Sequence, residues 1–94
     1  MNEQKNEFVL SKQILRSRTS IGANIAEAQQ AQSDADFISK MNIALKEAAE
    51  TKFWLRLLEA TDYLSKAETQ SILAECIELE KILYSIVRTS KSKQ

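Results

Sequence analysis

A chain of 94 residues with no proline and a single glycine, Gly22, has almost nothing to make turns with. Tight hairpins draw heavily on those two residues, so a strand-rich fold is excluded and an all-α chain is expected. Ninety-four residues suffice for one small domain, residues 1–94, near the lower range of comfortable single domains.

Apolar periodicity of roughly 100° per residue divides the chain into three long helices, at about residues 7–30, 34–63 and 66–89. Met1 to Asn6 is polar and reads as a frayed start. In the first helix Leu10, Ile14, Ile21, Ile25 and Ala28 form one stripe, which Phe8, Leu15, Gly22 and Ala26 widen on one side. Lys12, Arg16, Thr19, Ser20 and Glu27 take the opposite face, and Arg18 projects from within the broad apolar stripe. Gly22 and Ala26, with Ser20 and Ala23, leave one surface nearly bare, which predicts a close backbone neighbour. Asn24 and Glu27 flank the stripe and are placed to hydrogen-bond to an adjoining helix.

Ser33 followed by Asp36 has N-cap spacing, and Ser65 with Glu68 forms a capping box. The main stripe of the second helix is Phe37, Met41, Ala44, Leu45, Ala48 and Leu55. A second patch, Ile43, Phe53, Trp54 and Leu57, lies on another side, and from Phe53 to Leu58 the helix is apolar almost all round. The third helix carries Ile72, Leu79 and Ile86 seven apart, with Cys76 and Leu83 between them, a heptad-like seam. Leu73, Ile77 and Tyr84 form a displaced strip, and residues 90–94 a short basic tail. Three helices therefore carry more apolar surface than one seam requires. Exposed patches of this kind mark association surfaces, so a homo-oligomer is expected, with Ile43, Phe53, Trp54, Leu57, Leu73, Ile77 and Tyr84 as candidate interface residues.

Chemistry has little to stand on. There is no histidine, so Ser–His and Cys–His activation are absent, as are the Glu-x-x-His pairs of a di-iron bundle. Cys76 reads as a small apolar filler, and it is the only cysteine, so no internal disulfide framework exists. Glu27, Glu47 and Glu50 are the only plausible acids and are better explained as hydrogen-bonding carboxylates. The reading is non-enzymatic, with no cofactor, metal or small-molecule substrate. No apolar run approaches the ~18–20 residues of a membrane span, and no signal-peptide pattern opens the chain. A cytoplasmic protein without a membrane partner is expected.

Thirteen basic and thirteen acidic residues cancel, whereas a nucleic-acid-binding domain usually has a basic excess. Two local clusters remain as candidate RNA-binding residues. Lys12 and Arg16 stack at i,i+4, a spacing at which like charges repel mildly and a phosphate would relieve them. Arg88, Lys91 and Lys93 make a basic C-terminus, and Arg18 is counted with them. The competing reading is a protein-interaction scaffold with no nucleic-acid role.

Two long segments, LSKQILRSRTSIGANIAEAQ (residues 10–29) and DFISKMNIALKEAAETKFWL (residues 36–55), with the helix after them, resemble the bacterial four helix bundle protein family. Its best-known members are encoded in intervening sequences of 23S ribosomal RNA genes. The resemblance implies an antiparallel up-and-down bundle assembled into a ring, typically a pentamer, and its genetic setting suggests ribosomal or other structured RNA as a partner. Members of that family begin with a further amphipathic helix ahead of the segment matching residues 7–10. The resemblance thus implies that one helix of four is missing here, through a truncated start or replacement by another subunit. Arg18 also departs from the family pattern, which commonly has a small residue, often glycine, at that position.

Overall fold

The computed structural model describes residues 3–61 and 66–92. They form three α-helices: α1 (Glu3–Gln29), α2 (Asp34–Ala60) and α3 (Lys66–Ser92), each of 27 residues. At 1.5 Å rise per residue each is about 40 Å long, and the molecule measures 50 × 21 × 15 Å. There is no strand among the described residues, as the scarcity of turn-forming residues requires. No helix among them is long and apolar enough to cross a membrane.

Three boundaries differ from the sequence expectation. α1 already begins at Glu3, so the polar start continues the helix: Glu, Gln, Lys and Asn carry no helix-breaking geometry. α2 ends at Ala60, short of Asp62. There the Thr61 backbone N–H bonds to the Leu58 carbonyl at 3.1 Å, and its hydroxyl donates to the same oxygen at 2.6 Å. α3 runs on to Ser92, so Lys91 belongs to its last turn, where a cation complements the helix dipole. The expected capping box at Ser65 lies outside the described residues. At the other junction Ser33 caps α2 in an extended conformation, and its hydroxyl accepts from the Asp36 N–H at 3.1 Å. Asp34 and Asp36 in that first turn face the positive end of the dipole.

α2 is the central element. It packs against both other helices, while the α1 and α3 backbones nowhere come within 8 Å of each other among the described residues. Side chains from all three helices meet in two clusters. Ile21 and Ala28 of α1 join Ile38, Met41, Ala44 and Ala48 of α2 and Leu83 and Val87 of α3. Further along, Ile14 meets Leu55, Leu58 and Cys76, flanked by Leu10, Trp54 and Ile72. Leu55, Leu58 and Leu83 are fully buried, and each contributes roughly 1.5–3 kcal/mol through removal from water.

Ser17 of α1 and Thr51 of α2, both completely buried, meet hydroxyl to hydroxyl. Thr51 donates to Ser17 Oγ at 2.7 Å and Ser17 donates to the Ile14 carbonyl at 3.2 Å. The Glu47 carbonyl, 2.9 Å from Thr51 Oγ1, is the alternative acceptor. Two small residues allow α1 and α2 to approach here, and each hydroxyl buried by that approach is satisfied. Ion pairs record the relative register. Arg16 meets Glu50, whereas Glu27, further along α1, meets Lys40, earlier in α2, at 3.0 Å.

Candidate interaction site

Because α2 holds α1 and α3 apart, the side of the molecule opposite α2 is a cleft. Its walls are Arg18, Ile21, Gly22 and Ile25 from α1 and Glu75, Cys76 and Leu79 from α3, enclosing about 270 Å³. Gly22 and Ala26 do not meet a neighbouring backbone within this chain, contrary to the sequence expectation. A Cβ built on Gly22 would have nothing within 4 Å, and Ala26 is exposed. The physical reason is geometric: the broad α1 stripe spans more of the helix circumference than α2 and α3 together cover. Leu15 and Phe8, on the widened side of that stripe, are 67% and 68% exposed, and Ile82 of α3 is 51% exposed.

Arg18 does not enter the core. Its guanidinium reaches across the cleft mouth toward Glu75, with 3.9 Å between Nη2 and Oε2, and both side chains are at least half exposed. An exposed pair at that distance adds little stability. Beneath it, burial pushes the Cys76 thiol above its ordinary value, with the nearby Arg18 charge pulling the other way. A buried thiol kept protonated in this manner is a poor nucleophile.

A second apolar surface lies on the outside of α2, where Ile43, Phe53 and Leu57 are exposed, Phe53 by 57%. Phe53 and Trp54 pack edge to face with centroids 5.2 Å apart. Trp54 is half-buried against the Ile14 cluster, and its Nε1–H is buried without a hydrogen-bond partner. On α3, Tyr84 and Ile77 are exposed and Leu73 is half-buried.

The basic candidates separate. Arg16 is occupied: its Nη2 lies 3.2 Å from Glu50 and 3.7 Å from Glu47, and its Nε donates to Gln13 at 3.1 Å. Glu47 and Glu50, two of the three acids considered from the sequence, therefore answer an arginine, and no group of three or more candidate metal ligands exists among the described residues. Lys12 is exposed one turn away. Arg88 and Lys91 are exposed near the end of α3, beyond the cluster around Val87, so they do not converge with Lys12 and Arg16. Lys93 lies outside the described residues. Asn24 turns back on its own helix, donating to the Ser20 carbonyl at 2.9 Å instead of crossing to a neighbour. Glu27 does cross, to Lys40, and that hydrogen bond and charge hold the ammonium above its usual range. Glu75, opposite Arg18, and the inter-helix pair Lys52–Glu80 at 2.6 Å were not singled out from the sequence. The signal for Glu75 was present, since it lies four residues before Leu79 on the same side of α3.

The sequence profile of the 23S rRNA-intervening sequence proteins matches residues 1–85. The chain belongs to that family. A solved relative is the 1.70 Å crystal structure of a protein of unknown function from the S23 ribosomal protein family of Bacteroides thetaiotaomicron VPI-5482. It is 58% identical, with a TM-score of 0.85 over 92% of this chain and 77% of that one. No curated protein matches the sequence. In this member of the 23S rRNA-intervening sequence family, three packed helices leave an apolar cleft between α1 and α3.

Proposed function

We propose that this chain is a non-enzymatic association module: an antiparallel up-and-down helical bundle whose uncovered apolar surfaces bind further copies of itself. The antiparallel order is supported by the register of the Arg16–Glu50 and Glu27–Lys40 pairs. The observation that carries the reading is the exposure of large apolar side chains on all three helices, Phe8 and Leu15 on α1, Phe53 and Leu57 on α2, and Ile82 and Tyr84 on α3. Several large apolar side chains left in water in a chain this small favour association. Sedimentation across micromolar concentrations tests it: a mass that rises with concentration is expected, and a monomer throughout overturns the proposal.

RNA is the second reading, favoured by one observation. Lys12, Arg88 and Lys91 are exposed, and an oligomer would repeat them and raise the local potential. Binding of that origin is electrostatic and falls steeply with salt. Titration with a structured RNA at two salt concentrations separates the readings. Salt-sensitive binding that is lost in the Lys12→Ala/Arg88→Ala/Lys91→Ala variant supports RNA contact, and its absence leaves the scaffold.

A further inference from the structure

We propose that the exposed face of α3 formed by Lys81, Tyr84, Arg88 and Lys91 binds an unpaired nucleic-acid strand, with a base stacked on the Tyr84 ring and phosphates on the flanking cations. The inference rests on the RNA reading above and deepens it: it names the kind of strand and adds Lys81 and Tyr84 to the site.

Three observations carry it. The first is where the charge sits. All 13 acidic side chains lie between Glu3 and Glu80, while Lys81, Arg88, Lys91 and Lys93 follow them. A chain that is neutral as a whole therefore has a final stretch, residues 81–94, with four cations and no acidic side chain. The attraction of a cation to a helix C-terminus fades within about one turn. It accounts for Lys91 in the last turn of α3 but not for Lys81, near the middle of that helix.

The second is that these cations are uncompensated. Arg16, Arg18, Lys40 and Lys52 each have a glutamate partner. Lys81, Arg88 and Lys91 are exposed and make no ion pair among the described residues. Asp34 and Asp36 lie toward the same end of the bundle, since Ile38 and Val87 share a core cluster, and neither pairs with these cations.

The third is the ring between them. Tyr84, grouped with Leu73 and Ile77 by the apolar pattern, is 65% exposed. At roughly 100° per residue, Lys81, Tyr84, Arg88 and Lys91 fall on one face, over a length of about 15 Å. Leu83 and Val87 anchor the other side of α3 in the core, so the stripe stands on a fixed element. A stacking ring flanked by phosphate-binding cations is how unpaired strands are held without sequence preference. A duplex offers phosphates but keeps its base faces covered, which leaves Tyr84 without a role. An anionic lipid surface needs a broad apolar face to bury, and that face of α3 is already in the core.

Fluorescence anisotropy with labelled oligouridylate, oligothymidylate and an RNA duplex tests the site. We expect the single strands to bind more tightly than the duplex at equal salt. Tyr84→Ala should weaken single-strand binding roughly 10-fold and leave duplex binding unchanged, whereas Tyr84→Phe, which keeps the ring, binds like the parent. Lys81→Ala should lower the slope of log affinity against log salt by about 0.7, one phosphate contact on a single strand. Both positions are exposed, so helicity by circular dichroism should not change. Binding of both oligomers supports the site as stated, and binding of oligouridylate alone supports it with RNA as the strand. A duplex bound more tightly than the single strands, or a Tyr84→Ala protein that binds them like the parent, overturns the inference. The RNA reading survives that result if structured RNA still binds and the Lys12→Ala/Arg88→Ala/Lys91→Ala variant loses it. If Tyr84→Ala loses binding together with subunit mass in sedimentation, the ring belongs to a contact between copies and the site is overturned. Phosphatidylglycerol vesicles bound as tightly as oligouridylate overturn the nucleic-acid assignment. No salt-sensitive binding to any of the nucleic acids, structured RNA included, overturns both this inference and the reading on which it rests.

Discussion

The two flanks of α1 were built from the same kinds of residue and met different fates. On the flank toward α2, Ile14, Ser17, Ile21 and Ala28 are buried, two hydroxyls interlock, and Arg16 and Glu27 find opposite charges. On the flank toward α3, Leu15 and Gly22 are exposed and Arg18 has a distant, solvated partner. Apolar character alone therefore does not make a seam. What separates the flanks is that α2 presents Ala44, Ala48 and Thr51, small enough for a close approach, whereas α3 is held off by the width of α2.

If the comparison is right, the largest effect belongs at the centre of α2 and should have no counterpart in the cleft. Leu55→Ala removes a fully buried side chain, and we expect a loss of about 2–5 kcal/mol in urea unfolding. Leu15→Ala on the exposed flank of α1, at concentrations where the protein is monomeric, should change unfolding by no more than about 0.5 kcal/mol. Equal losses at the two sites would erase the distinction.

Next comes the hydroxyl pair. Ser17→Leu forces extra carbons into a site with no exposure and should cost about 1–3 kcal/mol. Thr51→Val, nearly the same volume, should cost about 1 kcal/mol through the lost hydrogen bonds. A neutral Ser17→Leu would mean that α1 and α2 are not in close contact there.

Gly22→Ala inverts the sign. With open space at the Cβ position, it should stabilise the monomer by about 0.5–1 kcal/mol by relieving the glycine penalty inside a helix. A destabilised monomer would show that the cleft is filled from within the chain.

The smallest effect is a pH difference. The folded Lys40 ammonium is held above its ordinary range, first by the hydrogen bond to Glu27 and then by that carboxylate's charge. A group raised on folding contributes stability that is complete below its unfolded value and disappears as pH climbs through the folded one. The stability gap between the parent and Lys40→Met should therefore be constant through neutral pH and close only in strongly alkaline solution. A gap that opens on the alkaline side contradicts the pairing.

Much of the helix pattern was legible because it depends on local chemistry. The Ser33 cap and the stripes through Ile14, Ile21, Met41, Leu55 and Leu83 follow from capping and periodicity. Ile38, Thr51, Thr69 and Val87 are also buried, outside the stripes drawn from the sequence; Ile38 and Val87 share a cluster with Met41 and Leu83, so the buried face of each helix is wider than its apolar stripe. Asn24 was misassigned for a related reason: an amide beside an apolar stripe has two kinds of acceptor in reach, and the Ser20 carbonyl on its own helix is nearer. Arg16 looked like a phosphate site until Glu47 and Glu50, more than thirty residues away in sequence, were brought against it.

The sequence by itself determined that this chain is all helix, where one junction turns and which residues could be buried, since those properties belong to turn chemistry and to the 3.6-residue period. Only the tertiary structure decided which of those apolar residues are covered. That depends on inter-helix distance, which is set by the sizes of side chains that meet across α2. Around Gly22 the result is the reverse of the expectation drawn from its neighbours. A surface made bare for a close partner is, within this chain, left open.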